Sequence, residues 1–193
     1  EQFMGEFSSA FTNLKKKGHL TIKQKGLEAD DLAAWIVGKK EEFGIDEIWL
    51  ISSDKDWDLL ISDKVSRFST VTRKEITADT WDEHYDVEPD KYLTLKCLAG
   101  DTGDNIPGIA GIGPKRAVSL IEQYGDLFDI YNACPIDSHY KFIQTLNEHA
   151  DRLLLNAELM DLESYSEQAL IEADMNLEDL SSQILEYLNE VRD

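Results

Sequence analysis

Long apolar runs are absent. No stretch approaches the ~20 consecutive apolar residues that a membrane-spanning helix needs, and a hydrophobic content of 42% is that of a water-soluble globular chain. Cysteine is nearly absent too. Cys97 and Cys134 form neither a metal-type spacing nor a disulfide framework, so a reduced, cytosolic setting is expected. Cys97 lies in the apolar run 92–98 and reads as a core residue. Low-complexity segments, internal repeats and a signal-peptide pattern are missing. The first residue is Glu1 rather than Met, and this terminus is read as a product of cutting, splitting or processing.

Bases are scarce. The chain holds 19 Lys and Arg against 39 Asp and Glu, a net charge of −20, which disfavours a polyanionic partner because phosphate contacts need positive charge. Position changes that reading. Residues 148–193 alone contain thirteen acids and two bases. Most of the remaining excess of acid sits in three short clusters described below, and outside them the body is close to neutral.

With 193 residues there is enough chain for one sizeable core or a domain with a helical appendage. Phe3, Met4, Phe7, Phe11 and Leu14 recur at helical spacing, so 1–16 is expected to be an amphipathic helix, with Lys15, Lys16 and Lys17 in its last turn and Gly18 stopping it. Strands are expected at 20–23, 45–52, 65–68 and 71–76, and helices at 28–40, 56–61, 78–85 and 89–98. Beyond a Gly-rich loop at 101–113, helices are expected at 114–124, near 126–133, 137–148 and 150–159, and at 177–191. Alternating helix and strand point to an α/β fold with a partial, mainly parallel sheet in residues 1–88, followed by an all-helical region, 89–193.

Three acid clusters carry the chemistry. Glu28, Asp30 and Asp31 open a helix after Gly26. Asp54 and Asp56 follow the strand that ends in Leu50-Ile51-Ser52, where an open parallel sheet places its ligands. Asp101 and Asp104 sit in Gly100-Asp101-Thr102-Gly103-Asp104-Asn105-Ile106-Pro107-Gly108. Each cluster alone is ordinary helix-start or turn chemistry. Together, seven converging carboxylates would repel one another unless cations neutralise them. Hard, oxygen-liking divalent ions fit, and the absence of His and Cys disfavours zinc. Seven carboxylates exceed the needs of one ion, so two are expected, the arrangement that stabilises both oxygens of an in-line phosphoryl displacement. Asp58 reads as a solvent-facing acid, Trp57 as a packing residue, and His84, His139 and His149 as surface residues.

The most specific string is Gly108-Ile109-Ala110-Gly111-Ile112-Gly113-Pro114-Lys115-Arg116-Ala117. It reads as a hairpin joining two helices. Gly111 and Gly113 let backbone amides approach a phosphate, a helix N-terminus faces the anion, and Lys115 and Arg116 add charge. Such a motif grips a nucleic-acid backbone without reading bases.

These strings (GLEADD, SSDKDWD and GDTGDNIPGIAGIGPKRA), in this order and over residues 20–145, resemble the 5′-nuclease superfamily of flap endonucleases and 5′-3′ exonucleases, most closely the small phage-encoded kind. The resemblance implies a PIN-like 5′-nuclease core followed by a helix-hairpin-helix DNA-binding motif at about 101–124. It implies two Mg²⁺ or Mn²⁺ held by Glu28, Asp30, Asp31, Asp54, Asp56, Asp101 and Asp104, with the first cluster serving the first ion and Asp101 with Asp104 serving the second. It implies a K⁺ held through backbone carbonyls near Gly108, Ile109 and Ile112, and contact with DNA at Gly111, Gly113, Lys115 and Arg116. The partner would be DNA with a 5′ single strand at a duplex junction, and the setting the cytoplasm, that of the host for a viral chain. The family pattern also begins with an Asp-bearing strand and a basic helical arch that this sequence lacks. Residues 1–17 resemble the helix after that arch, and a separately supplied amino-terminal segment is therefore an expected partner. Two other readings remain at this stage: a non-catalytic DNA-binding module, and a ribonuclease of the PIN-like fold.

Overall fold

The computed structural model describes the backbone of residues 2–192 and side chains from residue 6 to residue 192. Glu1 and the expected apolar positions Phe3 and Met4 lie outside the described side chains. The chain forms two compact units. The first contains residues 1–45 and 166–193, the second residues 46–165. This grouping differs from a division at 88/89, because Ile61, Ile76 and Trp81 share one hydrophobic core with Leu98, Ile109, Leu120, Ile130 and Leu153.

In the first unit, α1 (Gln2–Lys16) and α2 (Ala29–Gly38) belong with the C-terminal helix α9 (Leu177–Arg192). Trp35 and Phe43 pack with Leu170, Leu180 and Ile184. The strand expected at 20–23 does not form. Leu20 and Ile22 pack against this core, but the segment joins no ladder among the described residues. The α9 start is capped by Asn176, whose side chain accepts from the Glu178 and Asp179 amides at 3.1 Å each.

The second unit carries the sheet. β1 (Ile48–Ile51) runs parallel to β2 (Val65–Ser69), and β2 pairs antiparallel with β3 (Lys74–Ile76). A one-turn 3-10 helix, Asp56–Leu60, connects β1 to β2. The helix expected at 78–85 shrinks to Trp81–Glu83. Thr77 and Thr80 satisfy each other's amides through their hydroxyls at 3.1–3.2 Å, which offers the backbone a turn in place of a helix.

A 3-10 turn, Pro89–Lys91, leads into α3 (Tyr92–Ala99), whose end continues into β4 (Gly100–Asp101). β4 pairs with β5 (Ile106–Pro107), so the stretch read as loop contains a short antiparallel ladder. Then come α4 (Pro114–Tyr124), α5 (Leu127–Ala133), α6 (Lys141–Glu148), α7 (Asp151–Met160) and α8 (Leu162–Glu172). α6 starts later than expected because the Asn147 side chain holds both the N–H and the C=O of Ile136 at 2.8 Å, which keeps the preceding segment irregular. The sequence pattern missed α8, which opens on an Asp161 side chain accepting from the Ser164 amide at 3.0 Å. No helix among the described residues is long and apolar enough to cross a membrane.

Candidate metal centre and nucleic-acid interface

Two chain segments of the second unit deliver the carboxylates. The turn after β1 presents Asp54 and Asp56, and the β4–β5 loop presents Asp101 and Asp104. The Asp54 amide donates to the Ser52 hydroxyl at 3.1 Å, and the Asp54 carboxylate accepts from the Asp56 amide at 3.0 Å. Asp54 thus shapes the turn that aims Asp56. In the loop, one Asp101 oxygen accepts from the Gly103 amide at 2.7 Å. Ligand oxygens of Asp56, Asp101 and Asp104 all lie within 4.8 Å of one another.

A lysine stands among them. Lys96, 7% exposed, reaches from α3 and donates to Asp101 at 2.8 Å and to Asp56. Burial disfavours its charge, but the hydrogen bonds to Asp101 and Asp56 win and push its pKa up to about 12. Lys96 in turn holds the Asp101 carboxyl below the ordinary range. Asp104 goes the other way: its hydrogen bond to the Asp56 carboxyl, partial burial and the nearby charges of Asp56 and Asp101 raise it to about 6. One lysine therefore neutralises part of the site, and the third carboxylate is left with surplus negative charge. That is the electrostatic condition in which a divalent cation binds.

Behind this turn lies a buried polar network. Arg67 on β2 makes a two-pronged ion pair with Asp58, with Nη2 at 2.8 Å from Oδ2, and also donates to the Ser52 carbonyl at 2.9 Å. Tyr85 donates to Asp58 and lies 3.4 Å from the Tyr92 hydroxyl. Burial and the Asp58 hydrogen bond raise the Tyr85 pKa. Asp58 is 1% exposed, so the expectation of a solvent-facing acid is wrong. It ties the 3-10 helix that begins at Asp56 to the sheet.

The hairpin grows from the same stem. A Cβ on Gly100 would stand 2.2 Å from the Gly108 amide nitrogen, and one on Gly108 would stand 2.3 Å from the Ala99 carbonyl carbon. Only glycine at both positions lets the chain cross itself there. Asn156 of α7, 1% exposed, donates to the Cys97 carbonyl at 2.9 Å and the Pro107 carbonyl at 3.0 Å, tying both ends of the carboxylate loop. Ile109 and Ile112 then plug into the core, and the Ile112 amide donates to the Ile109 carbonyl at 2.9 Å. Gly111 has φ +87°, the left-handed value a type II turn needs at its third residue. Gly113 precedes Pro114, the first residue of α4.

Lys115 and Arg116 differ in what they do. Lys115 is exposed and makes no ion pair among the described residues. Arg116 closes the hairpin by donating to the Gly111 carbonyl, and its guanidinium lies 4.5 Å over the Phe142 ring.

This stem and hairpin fall within residues 87–185, which match the family described as 5′-3′ exonuclease, C-terminal SAM fold. A solved mutant of T5 5′-exonuclease superposes with a TM-score of 0.87 at 39% identity, covering 96% of this chain and 76% of that one. The chain belongs to the 5′-3′ exonuclease family. Its relatives in the family include the flap endonuclease of Escherichia phage T5, 42% identical over 171 residues, which cover 88% of this chain and 58% of that protein. DNA polymerase I of Rhizobium leguminosarum is 36% identical over 141 residues, 73% of this chain and 14% of that one. The T5 D15 protein co-crystallised with metal ions also superposes at 0.87, with 39% identity, over 96% of this chain and 69% of that one. The chain spans less than two thirds of these curated relatives.

Of the family motifs read in the sequence, the second unit brings Asp56, Asp101 and Asp104 together, with Asp54 turned to the backbone beside them. Glu28, Asp30 and Asp31 stand in the first unit at the start of α2. There Glu28 makes no side-chain cap, and the Asp30 carboxylate accepts from the Asp31 amide at 3.0 Å. Burial and the Asp30 charge raise the Asp31 pKa against a backbone hydrogen bond from Glu28. Sequence reasoning missed Lys96, Arg67 and Asn156. The signal for Lys96 was available, a single base inside the apolar run Tyr92-Leu93-Thr94-Leu95-Lys96-Cys97-Leu98. His84 is half-buried beside Tyr85 rather than on the surface, and Trp57 is half-buried, as a packing residue should be.

Proposed function

We propose that the protein is a metal-dependent, structure-specific 5′ nuclease of the flap endonuclease or 5′-3′ exonuclease type. It would act in replication or repair on DNA with a 5′ single strand at a duplex junction, in the cytoplasm, and leave 5′-phosphate and 3′-hydroxyl ends. The observation that carries this reading is the convergence of Asp56, Asp101 and Asp104 on a stem that continues directly into the hairpin. Family membership and the relatives' names support it.

The donor set fits Mg²⁺ or Mn²⁺, being all oxygen and in carboxylate excess. Asp56, Asp101 and Asp104, with Asp54 in the adjoining turn, would hold one ion, and Glu28, Asp30 and Asp31 are assigned to the other. Bound ions supply charge neutralisation and Lewis-acid activation at a phosphodiester. The remaining work falls to the chain. Lys96 spaces Asp56 and Asp101, the Arg67–Asp58 pair fixes the turn that aims Asp56, and Lys115 with the α4 amides holds the duplex backbone. A K⁺ at the carbonyls of Gly108, Ile109 and Ile112 belongs to the same reading. The Ile109 carbonyl already accepts one hydrogen bond and would offer its second lone pair.

The chain covers 58% of the phage T5 relative, and an amino-terminal segment like that relative's is part of this proposal as a partner for residues 1–193. We expect the chain alone to bind one divalent ion better than two and to cleave a 5′-flap duplex slowly or not at all in Mg²⁺. Cleavage should appear when the corresponding segment of a relative is added in trans. Calorimetry showing no divalent binding at millimolar metal would end the two-metal reading. Duplex binding with no cleavage even in the reconstituted pair would leave a non-catalytic DNA-binding module.

A further inference from the structure

A cavity of about 330 Å³ opens on the flank of the hairpin, between α4 and the segment 136–143 that leads into α6. That volume is at the small end of the roughly 300–1,000 Å³ that ligand sites occupy. The cavity is separate from the carboxylate site, for none of Asp54, Asp56, Asp101 and Asp104 lines it. One wall is aromatic. Tyr140, 56% exposed, stacks on Phe142 with 5.6 Å between ring centroids and 25° between planes. His139 adds a ring 4.3 Å from that of Tyr140. The segment that carries these rings is held in shape by its own hydrogen bonds. Asn147 holds the N–H and C=O of Ile136, and the Tyr140 amide donates to the Ser138 hydroxyl at 3.2 Å. The polar groups include acceptors without partners. The Asp137 carboxylate makes no ion pair among the described residues. Gln123 spends its amide N–H on the Tyr124 hydroxyl at 3.0 Å, and its carbonyl oxygen has no partner among the described residues.

We propose that this cavity binds one unpaired nucleobase, stacked on Tyr140 and donating a hydrogen bond from an exocyclic amine to Asp137. A flat ring face takes any base by stacking. The surplus of acceptors then favours cytosine and adenine, which carry an amine on the base edge, over thymine, which carries carbonyls. Arg116 makes the pocket continuous with the hairpin. It closes the Gly111 turn, lies over Phe142 and also lines the cavity. The hairpin grips backbone without reading bases, whereas this pocket touches base edges. The proposal rests on the nuclease reading only for the source of the base, a nucleotide of the bound DNA.

The test is an NMR titration of the full isotope-labelled chain, in chelator, with deoxycytidine, deoxyadenosine and thymidine. Nucleosides carry no phosphate, so neither Lys115 nor a metal draws them by charge. Deoxycytidine and deoxyadenosine should give saturable amide shifts at millimolar concentration at Ser119, Gln123, Ser138 and Tyr140, and thymidine should bind more weakly. Tyr140→Ala should weaken deoxyadenosine roughly 5- to 150-fold, the range that loss of one base–aromatic stack covers. Tyr140→Phe should keep the wild-type affinity, and Asp137→Asn should narrow the gap between deoxycytidine and thymidine. No saturable shift, affinity unaltered in Tyr140→Ala, thymidine bound as well as deoxycytidine, or indole (a stand-in for an aromatic side chain of a protein partner) bound as well as the nucleosides would each overturn the proposal. Lys115→Ala should weaken a blunt duplex and leave nucleoside binding unchanged. A duplex affinity indifferent to Lys115→Ala would count against the hairpin reading while the nucleoside result stands, so the two failures are distinguishable.

Discussion

Replacing Lys96 by Met tests the electrostatics of the carboxylate site directly. Methionine keeps the volume and flexibility of the stem, so the change removes mainly the ammonium. The Lys96 pKa rises from an ordinary 10.5 to about 12, which corresponds to about 2 kcal/mol of net attraction. Its partners Asp56 and Asp101 are 22% and 23% exposed, so solvent screening lowers this to roughly 1–2 kcal/mol. A lysine whose pKa is raised on folding stabilises fully below its unfolded value, and that contribution is lost only as pH climbs from 10.5 through about 12. At neutral pH the whole effect is therefore present. In metal-free buffer Lys96→Met should lower Tm by roughly 2–8 °C, at about 2–4 °C per kcal/mol for a chain of this size. Adding Mn²⁺ or Mg²⁺ should raise Tm more in the variant than in the wild type, because the ion neutralises carboxylates that have lost their ammonium. Scanning calorimetry in chelator and in a metal series reads both effects. A variant with wild-type Tm in chelator, or one that gains less from metal than the wild type, would refute the reasoning.

Asp58→Ala should cost about 3–5 kcal/mol in urea unfolding, since it leaves the buried Arg67 charge unpaired, and Asp82→Ala on the exposed surface should cost almost nothing; equal costs would remove the network from the account. Lys115→Ala and Arg116→Ala should each weaken duplex binding without changing sequence preference and flatten the salt slope by roughly 0.9. Arg116→Ala should in addition raise hydrogen exchange at the Gly111 turn, and the idea of a closing role fails if exchange there is unaltered. For Asp104, a folded pKa raised to about 6 means that its contribution to folding is present at low pH and lost as pH rises from 3.8 through about 6. Divalent affinity should rise over the same window with release of a proton, and Asp104→Asn should abolish that release in calorimetry run in buffers of differing ionisation heat.

The grouping of Asp56, Asp101 and Asp104 and the turn of the hairpin could be read from the sequence because their chemistry is local. Density of acid, a strand end, and glycine next to Lys-Arg need no knowledge of what lies across the fold. Asp58 was misread for the complementary reason. Its partner Arg67 is nine residues on, in the strand that follows the 3-10 helix carrying Asp58, and nothing in Asp54-Lys55-Asp56-Trp57-Asp58 separates the ligand from the buried ion pair. Asn156 lies 59 residues from Cys97, so its clamp is visible only in three dimensions. The strand expected at 20–23 does not form because a ladder needs a neighbour to pair with, and Leu20 and Ile22 pack against the core of the first unit without one.

The crossing of Gly100 and Gly108, pinned by Asn156, fixes more than a local turn. Asp101 and Asp104 lie within the loop that this crossing closes, and Lys115 follows it on the hairpin. On the nuclease reading proposed above, the stem would work as a ruler: with the hairpin seated on a duplex, the carboxylates would stand a set number of nucleotides away, and the position of a cut would follow protein geometry rather than base sequence. On that reading an insertion between Gly108 and Gly113 should shift the cut along the strand, as mapped from the product ends on a 5′-flap duplex.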